Sequence, residues 1–79
     1  MQHGFELVDA EAGFICVRHR ETQAEFGFLI SNGAVASGAV INPDTLANRE
    51  ARRPARAFAE SEAARLGYAI AYQGTLAED

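Results

Sequence analysis

The chain has 79 residues, a formal net charge of −4 and a single cysteine. This length supports one hydrophobic core, so we expect a single domain over residues 1–79. One cysteine excludes an internal disulfide framework, and the opening residues lack the basic and apolar regions of a signal peptide. Apolar runs are far shorter than a membrane span. We therefore expect a folded cytoplasmic protein that does not enter membranes.

The first part of the chain alternates between short apolar stretches and polar turns. Phe5 to Val8 predicts one strand and Phe14 to His19 a second, with a turn over residues 9–13 between them. A charged reversal over residues 20–23 leads to the next strand. Connections this short favour pairing between sequential neighbours, as in an antiparallel meander.

Asn32-Gly33 stands between two alternating segments, Phe26 to Ser31 and Ala34 to Ile41. Asn-Gly is a strong signal for a two-residue type I′ turn, because both turn residues must adopt positive φ. Such a turn fixes the register of the hairpin. It sets Ile30 opposite Val35.

Continued along the hairpin, the same register pairs Phe26 with Ala39. It also divides the hairpin side chains between two faces of the sheet. One face carries larger apolar residues: Phe26, Phe28, Ile30, Val35, Ala39 and Ile41. The second face carries mostly small residues together with two exposed aliphatic candidates: Gly27, Leu29, Ala34, Ala36, Gly38 and Val40.

After Ile41 the period changes from that of a strand to that of a helix. Asn42-Pro43-Asp44 is a helix-start signal, with Asn42 as the cap and Pro43 at the first helical position. Pro54 interrupts the helical pattern, because proline removes a donor and clashes with the carbonyl four residues earlier. We expect either a helical turn from Pro43 followed by a main helix from Pro54 to Leu66, or one kinked helix.

The main helix has an apolar stripe: Ala55, Phe58, Ala59, Ala63 and Leu66. Glu62 lies within this stripe, so its carboxylate must reach solvent, pair with a cation such as Arg65, or mark a cleft. Gly67 suits the left-handed cap that ends a helix. Tyr68 to Tyr72 alternates as a fifth strand, and residues 74–79 are expected to fray.

The predicted order is ββββαβ, an α+β fold in which an antiparallel sheet of four to five strands carries one main helix on one face. One helix cannot cover both faces. Leu29 and Val40 are therefore expected on an open face, with Ile15 and Val17 as further candidates, unless the sheet curls enough to shield it. An open apolar face favours a protein partner or a homodimer.

Four of the seven arginines fall within one short stretch: Arg49, Arg52, Arg53 and Arg56. On an uninterrupted helix they would share one arc, where guanidinium groups suit an acidic protein or the phosphates of nucleic acid. A solvated face, partly balanced by Glu50 and Glu60, is the alternative. The acidic net charge and the lack of an interleaved aromatic residue favour a protein over nucleic acid.

No group of residues has the spacing of a catalytic, metal or cofactor site. His3, Cys16 and His19 are the soft metal or nucleophile candidates. Cys16 and His19 are three residues apart in a strand, so they point to opposite faces and cannot act together. We therefore predict no enzymatic activity, no metal and no cofactor.

These observations favour a small non-enzymatic module that docks onto another protein as an inhibitor, adaptor or accessory subunit. The candidate partner-binding residues are Arg49, Arg52, Arg53, Arg56, Leu29 and Val40. The size and the lack of catalytic residues are typical of inhibitors carried by phages and mobile elements, anti-CRISPR proteins among them. A nucleic-acid-binding domain that uses the segment from Arg49 to Arg56 is the alternative.

Overall fold

The computed structural model describes residues 4–68 of the chain. Its elements in chain order are β1 (Phe5–Glu11), β2 (Phe14–His19), β3 (Glu25–Ser31), β4 (Ala34–Val35), β5 (Val40–Asn42), α1 (Leu46–Glu50) and α2 (Arg52–Arg65). An antiparallel sheet carries the main helix α2, which confirms the predicted α+β class. The predicted fifth strand beyond Tyr68, the tail over residues 74–79 and His3 lie outside the described residues. Within residues 4–68 no helix is long and apolar enough to cross a bilayer.

The sheet is a meander in which β1, β2 and β3 are sequential neighbours. On its other side β3 pairs with both β4 and β5, each of which covers a different part of its length. The single fourth strand predicted over residues 34–41 is therefore divided into two short strands. All of these pairings are antiparallel.

The turn at Asn32-Gly33 has the predicted geometry. Asn32 has φ of 54° and Gly33 has φ of 77°, left-handed values that these two residue types adopt at low cost. Ile30 lies opposite Val35. The hairpin prediction is confirmed at its tip.

Beyond Val35 the predicted register is wrong. Phe26 pairs with Ile41 and not with Ala39, because the chain leaves the ladder over residues 36–39 and returns two residues out of step. A shift by two preserves the alternation of side chains, whereas a shift by one would reverse it. The paired residues of the hairpin therefore keep the faces assigned to them from the sequence, whereas residues 36–39 lie outside the ladder.

Arg56 binds the chain at the point where it leaves the ladder. From α2, its guanidinium group donates to the carbonyl oxygen of Val35 over 2.7 Å and to that of Ala36 over 3.0 Å. Backbone carbonyls need a polar partner wherever the sheet does not supply one. Arg56 supplies that partner, and the same contacts tie the helix layer to the sheet edge.

The first strand is longer than predicted. β1 continues to Glu11, beyond the expected end at Val8. A β-bulge between Leu7 and Asp9 leaves Val8 without a paired residue in β2. Beyond the bulge Asp9 lies opposite Cys16, so Asp9 belongs to the sheet and not to a turn.

The core lies between α2 and one face of the sheet. Its buried sheet residues include Phe5, Ile15, Val17, Phe26, Phe28, Ile30 and Val35. The helix contributes three alanines of the predicted stripe, Ala55, Ala59 and Ala63, and each is fully buried. Phe58 packs against this core, and its ring stacks on Phe5 with 6.0 Å between centroids.

The assignment of Ile15 and Val17 to the open face is wrong. Both side chains are fully buried, and they pair with the two core phenylalanines of β3. Directly opposed residues of antiparallel strands project from the same side of a sheet. Phe14 and Cys16 alternate with them and therefore occupy the open face.

The first helix begins later than the predicted start at Pro43. Thr45 is the N-cap of α1, and its side-chain oxygen accepts from the backbone N–H of Asn48 over 3.1 Å. The predicted cap, Asn42, instead lies in β5 opposite Glu25. Pairing in the sheet has displaced the helix start.

The helical region is divided in two, which is one of the two outcomes predicted from Pro54. α1 ends at Glu50, the residue whose carbonyl a proline at position 54 obstructs. α2 starts at Arg52 and not at Pro54, which places the proline in the first turn, where its missing N–H needs no intrahelical partner. At the other end Gly67 has φ of 84°, as expected for a left-handed cap.

Replacing Gly33 with alanine should lower the free energy of unfolding by about 1 kcal/mol, because alanine must adopt the left-handed region at this position. Gly38→Ala is the matched control, since a Cβ at that position meets no atom within 4 Å and its φ is not left-handed. Urea denaturation followed by circular dichroism measures both. Equal loss of stability in the two variants would contradict the hairpin geometry.

Candidate docking surface

The sheet face opposite α2 carries an apolar strip, which consists of Phe14, Gly27, Leu29 and Val40. Phe14 lies opposite Leu29, and Gly27 lies opposite Val40, so the strip crosses β2, β3 and β5. Leu29 is 65% exposed and Val40 is 74% exposed. The sheet therefore does not curl enough to shield this face.

The ring of Phe14 lies over Gly27. A Cβ at position 27 would come within 2.7 Å of the Cζ atom of Phe14, so no side chain larger than hydrogen fits beneath the ring. Gly27 is buried as a result, and Phe14 is half-buried. The absence of a side chain at position 27 thus leaves room for an aromatic ring within the strip.

A row of charged residues crosses the same face next to the strip. Arg18 lies between Glu6 and Glu25, and its guanidinium group donates to their carboxylates over 3.0 and 3.2 Å. These hydrogen bonds raise the pKa of Arg18 above its ordinary value. Arg20 approaches Glu6 at 3.7 Å from the following turn. Ion pairs that remain partly exposed to water contribute little to stability, but they fix where the charges lie.

The outer strand adds two further carboxylates to this face. Asp9 lies opposite Cys16 and Glu11 lies opposite Phe14, and both acids are exposed. We call the four carboxylates the acidic rim: Glu6, Asp9, Glu11 and Glu25. The sequence prediction missed Asp9 and Glu11, because the bulge that brings them into the sheet has no clear signal in the local pattern.

Cys16 lies on this face between the rim and the strip. Partial burial raises the pKa of its thiol, the nearby charges of Glu25 and Asp9 raise it further, and Arg18 acts in the opposite direction. His19 faces the other side of the sheet, where the centroid of its ring lies 4.9 Å from that of the Phe5 ring. The two residues are separated as the sequence predicted. In the described part of the chain, no three His, Cys, Asp or Glu side chains are grouped to hold a metal ion.

The four arginines do not form one uniform basic surface. Arg49 is paired with Asp44 through two hydrogen bonds of 2.7 and 3.1 Å. Arg56 is directed to β4, and it also pairs with Glu60 at 3.1 Å. The remaining two, Arg52 and Arg53, are exposed and have no ion pair with any residue between positions 4 and 68.

Glu62 pairs with Arg65, which is one of the three outcomes predicted for its carboxylate. Its side chain is only 18% exposed, and its carboxylate accepts from two nitrogens of Arg65 over 2.6 and 3.2 Å. The charge is thus compensated one turn further along the helix. Leu66, the last residue of the predicted stripe, is 37% exposed, so the stripe loses contact with the core at this end.

Arg56→Gln should lower the free energy of unfolding by about 1 to 3 kcal/mol, since the shorter amide cannot reach the carbonyls of both Val35 and Ala36. Arg53→Gln removes the same charge from an exposed position and should leave stability nearly unchanged. Chemical denaturation of both variants gives the comparison. A stable Arg56→Gln protein would show that water replaces the guanidinium at the sheet edge.

Alkylation of Cys16 by iodoacetamide should have a rate-against-pH midpoint above that of an unhindered cysteine, because only the thiolate reacts and its pKa is raised. Asp9→Asn should lower this midpoint partway towards the ordinary value, because one negative charge is removed while the burial remains. A midpoint at or below the ordinary value in the unmodified protein would contradict the placement of Cys16.

Comparison of this chain with protein-family models, with curated proteins and with solved structures finds no match.

Proposed function

We propose that this protein is a non-enzymatic protein-binding module that docks through the apolar strip. The observation that carries the proposal is the exposure of Leu29 and Val40, at 65% and 74%, on the sheet face opposite the helix. Both residues belong to paired strands, so the sheet fixes the positions at which their side chains contact water. Burying such side chains against a partner is favourable in proportion to the apolar area removed from water.

The strip is also suited to docking by its rigidity. Gly27 pairs with β2 on one side and with β5 on the other, so the centre of the surface belongs to a three-stranded ladder. The Phe14 ring lies over this glycine. A surface that is already ordered loses little conformational entropy on binding, which favours affinity. Aromatic residues at the centre of an interface frequently carry a large share of that affinity.

The arginines give weaker support to the alternative of nucleic-acid binding. Arg49 is engaged by Asp44, and Arg56 is engaged by β4 and Glu60. Affinity for nucleic acid grows with the number of phosphates neutralised, and two exposed arginines without an ion pair among residues 4–68 supply few such contacts. Arg52 and Arg53 remain candidate contacts for an acidic region of a protein partner.

The proposed module acts by occupying a surface of its partner, as an inhibitor, adaptor or accessory subunit. We place this activity in the cytoplasm, because the single cysteine is not the pattern of a disulfide-stabilised secreted domain. The proposal extends to the candidate residues Leu29 and Val40 as the central contacts.

The test compares two variants in affinity capture from cells that encode the protein. Leu29→Glu combined with Val40→Glu places charges in the strip and should abolish capture of a specific protein. Leu46→Glu is the matched control, since Leu46 is 72% exposed but belongs to α1. It should retain capture. Quantitative mass spectrometry of the captured material provides the measurement, and far-UV circular dichroism confirms that both variants are folded.

Three results would count against the proposal. Loss of the fold in the double variant would show that the strip is part of the core. Equal capture by the double variant and by Leu46→Glu would show that the protein binds through another surface. Strongly salt-dependent binding to mixed RNA or DNA, lost in Arg52→Gln with Arg53→Gln, would favour the nucleic-acid alternative.

A further inference from the structure

We propose that the partner presents an apolar protein surface flanked by arginine or lysine residues. This inference rests on the proposed function and names the chemistry of the partner at the same strip. It is based on the acidic rim, which shares the open face with the strip. Four carboxylates and Arg18 project from the paired strands around Phe14 and Cys16.

The charges of the rim are unevenly compensated. Glu6 and Glu25 share Arg18 through direct hydrogen bonds. Asp9 accepts from the backbone N–H of Ala10, and neither it nor Glu11 has an ion pair among the described residues. The face therefore has two carboxylates beside Phe14 and Cys16 that are available to a cation from outside.

A partner that covers the strip must also approach these two carboxylates. Partial removal of water strengthens the interaction of any charge brought near them. An acidic partner would be repelled, whereas a guanidinium group would form charge-assisted hydrogen bonds to one carboxylate or to both. The rim thus selects a basic partner, while the strip supplies the apolar contact.

The same charges disfavour a second copy of this chain as the occupant. A two-fold symmetric dimer places the same surface patch on both subunits. Docking strip against strip would offer Asp9 and Glu11 the arginines of the other copy's open face, but Arg18 is already shared between two carboxylates there and Arg20 already approaches Glu6. The open face therefore fits a different protein better than it fits itself.

The inference is tested with random linear peptides displayed on phage and selected against the immobilised protein at low ionic strength. Selected peptides are synthesised, and their affinities are measured by fluorescence anisotropy. We expect sequences that combine arginine or lysine with aromatic or aliphatic residues. We also expect them to slow the alkylation of Cys16, the single cysteine of the chain, because this residue lies on the same face.

Two charge variants separate the rim from overall electrostatics. Asp9→Asn combined with Glu11→Gln should weaken peptide binding by about tenfold at low salt, with most of the loss disappearing at high salt. Glu21→Gln combined with Glu50→Gln removes the same total charge from exposed positions outside the rim. This control should change the affinity by less than about twofold, because distant exposed charges are screened.

The possible outcomes distinguish the inference from the function on which it rests. One outcome is a set of peptides that require Leu29 for binding, contain no excess of basic residues and bind the rim variant with normal affinity. This result would overturn the inference of a basic partner but leave the docking function intact. A failure to obtain any peptide sensitive to Leu29→Glu would count against both. A dimer in sedimentation velocity that Leu29→Glu dissociates would show that a second copy occupies the strip, which also overturns the inference.

Discussion

α2 is the one long helix within the described chain, and a single helix covers only one of the two faces of a sheet. α2 buries its alanines against the face with the large apolar residues, and small side chains let the helix approach the sheet closely. Phe26 and Phe28 then fill the interior between the layers. The opposite face must meet water with whatever the alternation of the strands places there. This constraint leaves Leu29 and Val40 exposed, and it makes them the focus of the proposed function.

The two layers are joined at one edge by a polar contact. Arg56 reaches from α2 to the carbonyls of Val35 and Ala36, where the chain leaves β3 before it returns as β5. An arginine that looks like part of a basic surface in the sequence is thereby a structural residue. Its engagement also reduces the charge available for binding phosphate.

Local signals predicted the fold well where few residues decide the outcome. The turn at Asn32-Gly33 depends on the φ values of two residues, and its tip was predicted correctly. The alternation of the hairpin also gave the exposed face that carries Leu29. In both cases the information lies within a few positions of the residues concerned.

The errors arose where distant parts of the chain compete. Asn42 has the side chain of a typical helix cap, but its pairing with Glu25 keeps it in the sheet. Thr45 is the N-cap of α1 instead. The excursion over residues 36–39 depends on Arg56, twenty positions further along. The acidic rim was missed for the same reason, because the bulge that places Asp9 opposite Cys16 depends on how β1 pairs with β2.

The position of the Phe14 ring on the open face depends on the residue at position 27. The shape of the surface is determined at position 27 by a residue that offers a partner no side chain. Any larger residue there would force the ring of Phe14 out of its present position. A substitution at this one position would therefore change the form of the strip, while the other side chains of the face stayed the same.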